Sequence, residues 1–146
     1  MKSVNEICAM ANDGWLQAGD VALEWYDVAR DQHLVAARIY SVDKRTLFAF
    51  SALASYNASP DMQSRIVARW LEEDADLPLP NARQGLREWY LFGHDVLSTS
   101  KAECYRVAMS EGSQSDAVVL DRHMLRALGG LKYSPEPRGV NEAYNL

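Results

Sequence analysis

The chain has 146 residues, a length that fits one domain with a substantial hydrophobic core and leaves little room for a second. Apolar residues make up 48% of the sequence, which excludes wholesale disorder, and the formal net charge of −5 argues against a domain held on nucleic acid by bulk electrostatics. No apolar run reaches the roughly 20 residues of a membrane span, and the N-terminus lacks a signal-peptide pattern, so we expect a cytoplasmic protein without membrane contact.

Helical periodicity dominates the first part of the chain, whereas strand signals are poor. Between Val21 and Tyr40, apolar side chains recur at three- and four-residue steps, which predicts a helix with one apolar stripe opposite its charged residues. The stripe consists of Val21, Trp25, Val28, Gln32, Val35 and Ile39. The next segment, Thr46–Tyr56, is apolar nearly all round, which favours a helix buried in the middle of a bundle.

Three more helices are predicted downstream, over about 59–74, 81–92 and 101–109. Proline or serine precedes each of them, and a glycine follows each of the last two, as is typical of helix boundaries. Trp70 and Trp89 fall on apolar faces of these helices, as Trp25 does on the first, so all three indoles are expected in the core. The predicted fold class is all-α.

A further short helix is predicted inside the segment SDAVVLDRHMLRALGGL, residues 115–131. The apolar triplet 118–120 leads to Asp121, which can cap a helix of about two turns that stops at the glycine pair 129–130. On the residues alone, capping explains Asp121 better than a chemical role does. Residues 132–146 contain two prolines and are predicted to form an irregular tail.

This segment resembles the end of the motif of the helix-hairpin-helix DNA glycosylase superfamily. There an apolar pair precedes an aspartate, which is followed by a histidine, an arginine and a glycine. The matching residues here are Val119, Leu120, Asp121, His123, Arg126 and Gly129. The resemblance implies a compact helical bundle like the core of these glycosylases, within a single domain that covers 1–146. The glycosylase-like core would span about 46–131.

In that family the aspartate is the catalytic carboxylate, so the resemblance implies this role for Asp121. Breaking an N-glycosidic bond develops positive charge on the sugar, and a carboxylate stabilises that charge or activates the attacking water. A helix N-terminus favours the ionised carboxylate that both tasks need. The resemblance thus implies release of a nucleobase from DNA or from a nucleotide by an aspartate-assisted water.

Two upstream segments extend the resemblance. The family has a glycine-rich hairpin and a helix before the aspartate, and some members carry a nucleophilic lysine there. Ser98, Ser100 and Lys101 stand at this place, with serines instead of glycines and the lysine one residue early. A phosphate contact or a solvated helix start is therefore favoured over a nucleophilic role for Lys101. Tyr56 and Asn57 follow the early core helix, where the family probes the DNA beside the extruded base. Further candidate contacts to nucleic acid are Arg122, His123 and Arg126.

The sequence leaves other functions open. Net negative charge and the serine hairpin favour a non-catalytic binding protein that uses the fold to engage a host protein or nucleic acid. Lys101 and Tyr105 fit the K-x-x-x-[FY] helix of small phage-encoded proteins that also carry an early core helix and a late D-x-H, which predicts a phage origin. A DNA base-modification transferase is a further alternative.

Cysteines, histidines and glycines give no sign of a disulfide framework, a metal site or a cofactor loop. Cys8 and Cys104 lie far apart, and the three histidines are dispersed without metal-ligand spacing. No glycine-rich phosphate loop and no G-x-S-x-G element occurs in the sequence. We therefore expect free thiols, no metal and no cofactor.

Overall fold

The computed structural model describes residues 20–93, 97, 99–117 and 119, together with residues 3, 5, 6, 8, 9 and 13. Its helices, in chain order, are α1 (Asp20–Ile39), α2 (Lys44–Ala54), α3 (Pro60–Glu73), α4 (Pro80–Leu91) and α5 (Ser100–Glu111), and a short 3-10 turn (Gly112–Gln114) follows α5. Within these ranges there is no strand, and the all-α prediction is confirmed. The helix predicted after Asp121 and the tail predicted at 132–146 lie outside the described residues.

α2 is the central helix of the fold. It begins after Asp43, whose carboxylate accepts hydrogen bonds from the backbone N–H and the hydroxyl of Thr46, each at 2.9 Å. Every residue from Thr46 to Ala54 is buried. α1, α3, α4 and α5 all pack against this helix, which is why its sequence is apolar nearly all round.

α3 and α4 cover two sides of α2. The Trp70 ring on α3 stacks on Phe50 with 4.2 Å between ring centroids. Trp89 on α4 is 1% exposed, and its indole N–H donates to the Thr46 hydroxyl at 3.3 Å. Gly85 lets α4 approach closely, because a Cβ there would lie 2.8 Å from a methyl group of Leu53. The core placement predicted for Trp89 is therefore confirmed, and Trp70 packs against the core.

α1 packs against α2 and α5 through a face other than the predicted stripe. Among its residues 24–39, Ala29 and Ala37 are buried, and Tyr26 and Leu34 are partly buried against the core. The stripe instead lies outward, with exposed fractions of 41% at Trp25, 51% at Val28, 53% at Val35 and 70% at Ile39. The prediction that Trp25 belongs to the core is wrong. The alanines supply a second apolar face, and the bundle buries that one.

The end of α5 is fastened to α1 by polar contacts around Gly112. The backbone N–H of Ser113 donates to the Asp27 carboxylate at 2.9 Å, and Arg30 donates to the carbonyl oxygen of Glu111 at 3.2 Å. The hydrogen bonds from Ser113 lower the pKa of Asp27. Gly112 has φ +67°, and a Cβ at this position would lie 2.1 Å from Asp27 Oδ1, so only glycine fits here.

Candidate functional site

The structure tests only some of the site residues predicted from the sequence. Asp121, Arg122, His123 and Arg126 lie outside the described residues, and so does Ser98. The described candidates are Tyr56, Asn57, Ser100 and Lys101. They come from two segments of the chain, the turn after α2 and the first turn of α5.

These two segments meet at one end of the bundle. The Tyr56 hydroxyl and the Thr99 hydroxyl are 2.6 Å apart, a hydrogen bond between residues 43 positions apart in the sequence. Thr99 immediately precedes α5, and Ser100 and Lys101 are partly buried in the first turn of that helix. The structure therefore brings Tyr56 next to the start of α5.

The Tyr56 side chain at this end of the bundle has a perturbed pKa. Burial raises the pKa of Tyr56, and the negative charge of Glu88 raises it further, while the bond to Thr99 lowers it. The phenol is therefore neutral around pH 7. The Thr99 side chain makes no capping bond to α5. Beside it, Asn57 is exposed and adopts the left-handed backbone conformation, with φ +52°.

The partly buried carboxylate of Glu103 positions the segment that leads into α5. The backbone N–H of Leu97 donates to Glu103 Oε2 at 2.9 Å, and Arg106 Nε donates to the same oxygen at 2.9 Å. The Arg106 guanidinium also lies over the Trp89 ring, 5.5 Å from its centroid. The segment that approaches α5 is thus held by a side chain of the helix itself.

A second candidate site is a cleft of about 440 Å³ between α1 and α3, with α2 and α5 below it. Aromatic rings of Trp25, Tyr40 and Tyr105 line the cleft together with aliphatic side chains of both helices. At one end, the Tyr40 hydroxyl donates to Glu72 at 3.2 Å. That bond and the charge of Glu72 raise the pKa of Tyr40. The volume is within the range of ligand pockets in proteins.

Four polar side chains from four helices form a network at the floor of the cleft. His33 Nδ1 lies 2.6 Å from the Ala29 carbonyl oxygen, which places the ring hydrogen on Nδ1 and leaves Nε2 to accept from Ser51 Oγ at 2.9 Å. Gln63 Nε2 donates to both oxygens of Ser51 at 3.0 Å. The Tyr105 hydroxyl donates to Gln63 Oε1 at 3.1 Å.

The Ser51–His33 pair has the spacing of a nucleophile and its base, but its surroundings give it a structural role. Ser51 is 1% exposed, and its hydroxyl oxygen already accepts from Gln63. Burial lowers the pKa of His33, so its ring is neutral and stacks on Phe48 with centroids 5.3 Å apart. Among the described residues, no buried side-chain nitrogen or oxygen lacks a hydrogen-bond partner. The network therefore joins the helices rather than presenting a reactive group.

Sequence reasoning missed this network because its members lie on four different helices. Spacing along one helix cannot report that His33, Ser51, Gln63 and Tyr105 meet. The available signal was weaker: Ser51 is a polar residue inside a helix that is otherwise apolar, and Gln63 follows the start of an amphipathic helix. A buried polar side chain needs a partner, so each position could have been paired with another in principle.

In the described part of the chain, no group of three or more histidine, cysteine, aspartate or glutamate side chains is arranged to hold a metal ion. None of the helices described above is both long and apolar enough to cross a bilayer.

No protein-family model matches the chain, and no curated protein or solved structure gives a significant match to it.

Proposed function

We propose that the protein is a DNA-glycosylase-like hydrolase that acts in the cytoplasm and releases a nucleobase from DNA or a nucleotide. Asp121 is the carboxylate that stabilises the sugar cation or activates the attacking water. The observation that supports the proposal most is the 2.6 Å contact between Tyr56 and Thr99. It joins two segments that the glycosylase resemblance assigns to nucleic-acid contact, although they are far apart in sequence.

The chemistry at this end of the bundle suits a nucleotide. Tyr56 offers a neutral aromatic ring on which a base can stack, and the exposed Asn57 offers an amide for its polar edge. Lys101, in the first turn of α5, is placed for a phosphate contact where the helix dipole also favours an anion.

A single-stranded or nucleotide substrate fits these features better than duplex DNA. Extracting a base from a duplex costs unstacking energy that a protein recovers through many phosphate contacts. This chain carries 20 acidic residues against 15 lysines and arginines, so its net charge of −5 opposes extended contact with a phosphate backbone. An unpaired base needs no extraction.

The test is base release by the full chain from a panel of single-stranded oligonucleotides that contain uracil, 5-hydroxymethyluracil, hypoxanthine or 8-oxoguanine. Alkaline cleavage reports the abasic site, and chromatography reports the free base. Asp121→Asn is expected to lower release by about 100-fold or more, because it removes the acid-base group, while fluorescence anisotropy shows nearly unchanged binding.

The matched control is Asp116→Asn, which removes an exposed carboxylate from the loop that precedes the proposed site. Its base release is expected to equal that of the unmodified protein. Equal activity in the Asp121→Asn protein, or no release from any oligonucleotide by the unmodified protein, would contradict the proposal.

The second candidate is a protein that binds a host protein without catalysis, and one specific observation favours it. The apolar stripe of α1 is exposed, with Ile39 at 70% and Val35 at 53%. Such side chains on one helix face are a common feature of protein interaction sites. Base release that depends on Asp121 would contradict the non-catalytic reading.

A further inference from the structure

The exposed apolar residues of α1 have the spacing of a helix-packing seam. Trp25, Val28, Gln32, Val35 and Ile39 follow one another at alternating steps of three and four residues. In a coiled coil, residues at this spacing insert between the side chains of a second helix, and one polar residue among them fixes the register. The described helices of this chain leave that seam outward, although its pattern is the one that another helix covers.

The seam borders the cleft between α1 and α3, and together they form one surface, the α1–α3 groove. Val28 and Gln32 line the cleft, and a shallower apolar depression continues over Gln32, Val35 and Ile39. The floor is mainly aliphatic and aromatic. α3, the shorter wall, has 14 residues, which correspond to a length of about 21 Å.

The charges of the groove have one sign. Asp61 lies near one end of the cleft, Glu72 lies at the other, and Asp31 lines the depression on α1. Among the described residues that line either part, there is no lysine or arginine. The arginines of α3, Arg65 and Arg69, are exposed and lie outside the lining.

We propose that the α1–α3 groove binds an amphipathic α-helix of a partner protein whose apolar face is flanked by lysine or arginine. The spacing of the seam fits a helical partner, and the 14 residues of α3 correspond to about four turns of that partner helix. The carboxylates at the rim favour a partner with lysine or arginine beside its apolar face. This proposal specifies the partner for the protein-binding function proposed above, and it rests on that function only in assuming that a protein partner exists. None of the residues at the Tyr56–Thr99 contact lines the groove.

A second copy of the same chain is a poorer occupant than a basic helix. Each copy carries a formal net charge of −5, and the exposed residues that flank the seam on α1 are two acids and one base, Glu24, Asp31 and Arg38. The net charge of a second copy is therefore repelled by the carboxylates of the groove, whereas a basic helix is attracted.

The experiment titrates the full chain with a labelled 14-residue peptide of leucine and lysine, its leucines at i, i+3, i+4 and i+7, so that it matches the length of α3. Fluorescence anisotropy measures the affinity, and circular dichroism measures the helix gained on binding. We expect saturable binding with a gain of helix. The same peptide with glutamate in place of every lysine is expected not to bind.

Two substitutions with the same change in charge locate the site. Val28→Lys places a cation on the groove wall, and folding tolerates it because the Val28 side chain is 51% exposed. It should lower the affinity for the lysine peptide by about tenfold or more. Leu91→Lys places a cation on α4 at a side chain that is 76% exposed and outside the lining, and it should leave the affinity nearly unchanged. Glu72→Gln should weaken binding at low salt and reduce its salt dependence.

The proposal is overturned if Leu91→Lys weakens binding as much as Val28→Lys, or if the glutamate peptide binds equally well. It is also overturned if sedimentation shows a dimer that Val28→Lys dissociates, since the occupant is then a second copy. Base release by the same preparations is measured separately, so a failure of the groove proposal is distinguishable from a failure of the proposed catalysis.

Discussion

α1 and α2 are neighbours that both carry apolar side chains at helical spacing, and the fold uses them differently. In α2, every residue from Thr46 to Ala54 is buried, because four helices surround it. α1 packs on α2, α5 and the 3-10 turn with one side only, and it buries Ala29 and Ala37 while Val35 and Ile39 remain exposed. The same kind of sequence thus forms a core in one helix and a free surface in the other.

The comparison teaches that burial depends on how many neighbours a helix has and on which of its faces they meet. The inward side of α1 carries the buried Ala29 and Ala37 together with Tyr26 and Leu34, which pack against the core. An outward stripe is then left over, which in a monomer is a surface available to a partner.

The largest expected effect is the difference in stability between two truncations, one in α2 and one in α1. Phe50→Ala empties a fully buried site on α2 that also stacks on Trp70, so it should lower the free energy of unfolding by about 3–5 kcal/mol. Ile39→Ala on the exposed stripe of α1 should change it by no more than about 0.5 kcal/mol. Urea denaturation measures both. A large cost for Ile39→Ala would break the comparison, because the stripe would then be covered within the folded chain.

A smaller effect is expected where α1 is fastened to the end of α5. Gly112→Ala places a Cβ against the Asp27 carboxylate at a positive φ, which should cost about 1–3 kcal/mol in the free energy of unfolding. The control is Gln114→Ala, which shortens an exposed side chain in the same 3-10 turn and should be nearly neutral. If the two variants are equally stable, the contact around Gly112 does not hold α1 in place.

The smallest effect is a pH dependence that arises where α1 meets α2. Burial lowers the pKa of His33 below its usual value near 6.5, so the unfolded chain binds a proton more readily than the folded one. Stability is then full above about pH 6.5 and is lost as the pH falls towards the lowered pKa, with a slope of at most about 1.4 kcal/mol per pH unit. His33→Gln should reduce this slope. Urea midpoints measured across this pH range provide the test, and an identical slope in both proteins would contradict the assignment.

Much of the fold could be predicted from the sequence, because helix periodicity and boundary residues are local signals. The central burial of α2 followed from its lack of a polar face. The buried face of α1 could not be predicted in the same way, since the stripe through Val28 and Val35 and the face through Ala29 and Ala37 both satisfy a helical period. Which one is buried depends on the surface of α2, and no spacing inside α1 contains that information.

The candidate sites also differ in whether a signal within the sequence pointed to them. Tyr56 and the segment before Lys101 were each proposed as candidates from a family resemblance, and their meeting through the hydrogen bond between Tyr56 and Thr99 was not predicted, because the two residues are 43 positions apart. The network of His33 and Ser51 has no local pattern, because its contacts run between helices. The placement of Asp121, which lies outside the described residues, stays a prediction.

The Ser51 hydroxyl has a consequence for how this protein can evolve. It contacts His33 on α1, Gln63 on α3 and the Met109 sulfur on α5, so one oxygen connects three neighbours of α2. An apolar residue at this position would strand a histidine nitrogen and an amide in the interior, at a cost that exceeds the value of the bonds themselves. Inherited changes at these positions should therefore occur together, whereas Val35 and Ile39 are free to diverge along with whatever they touch.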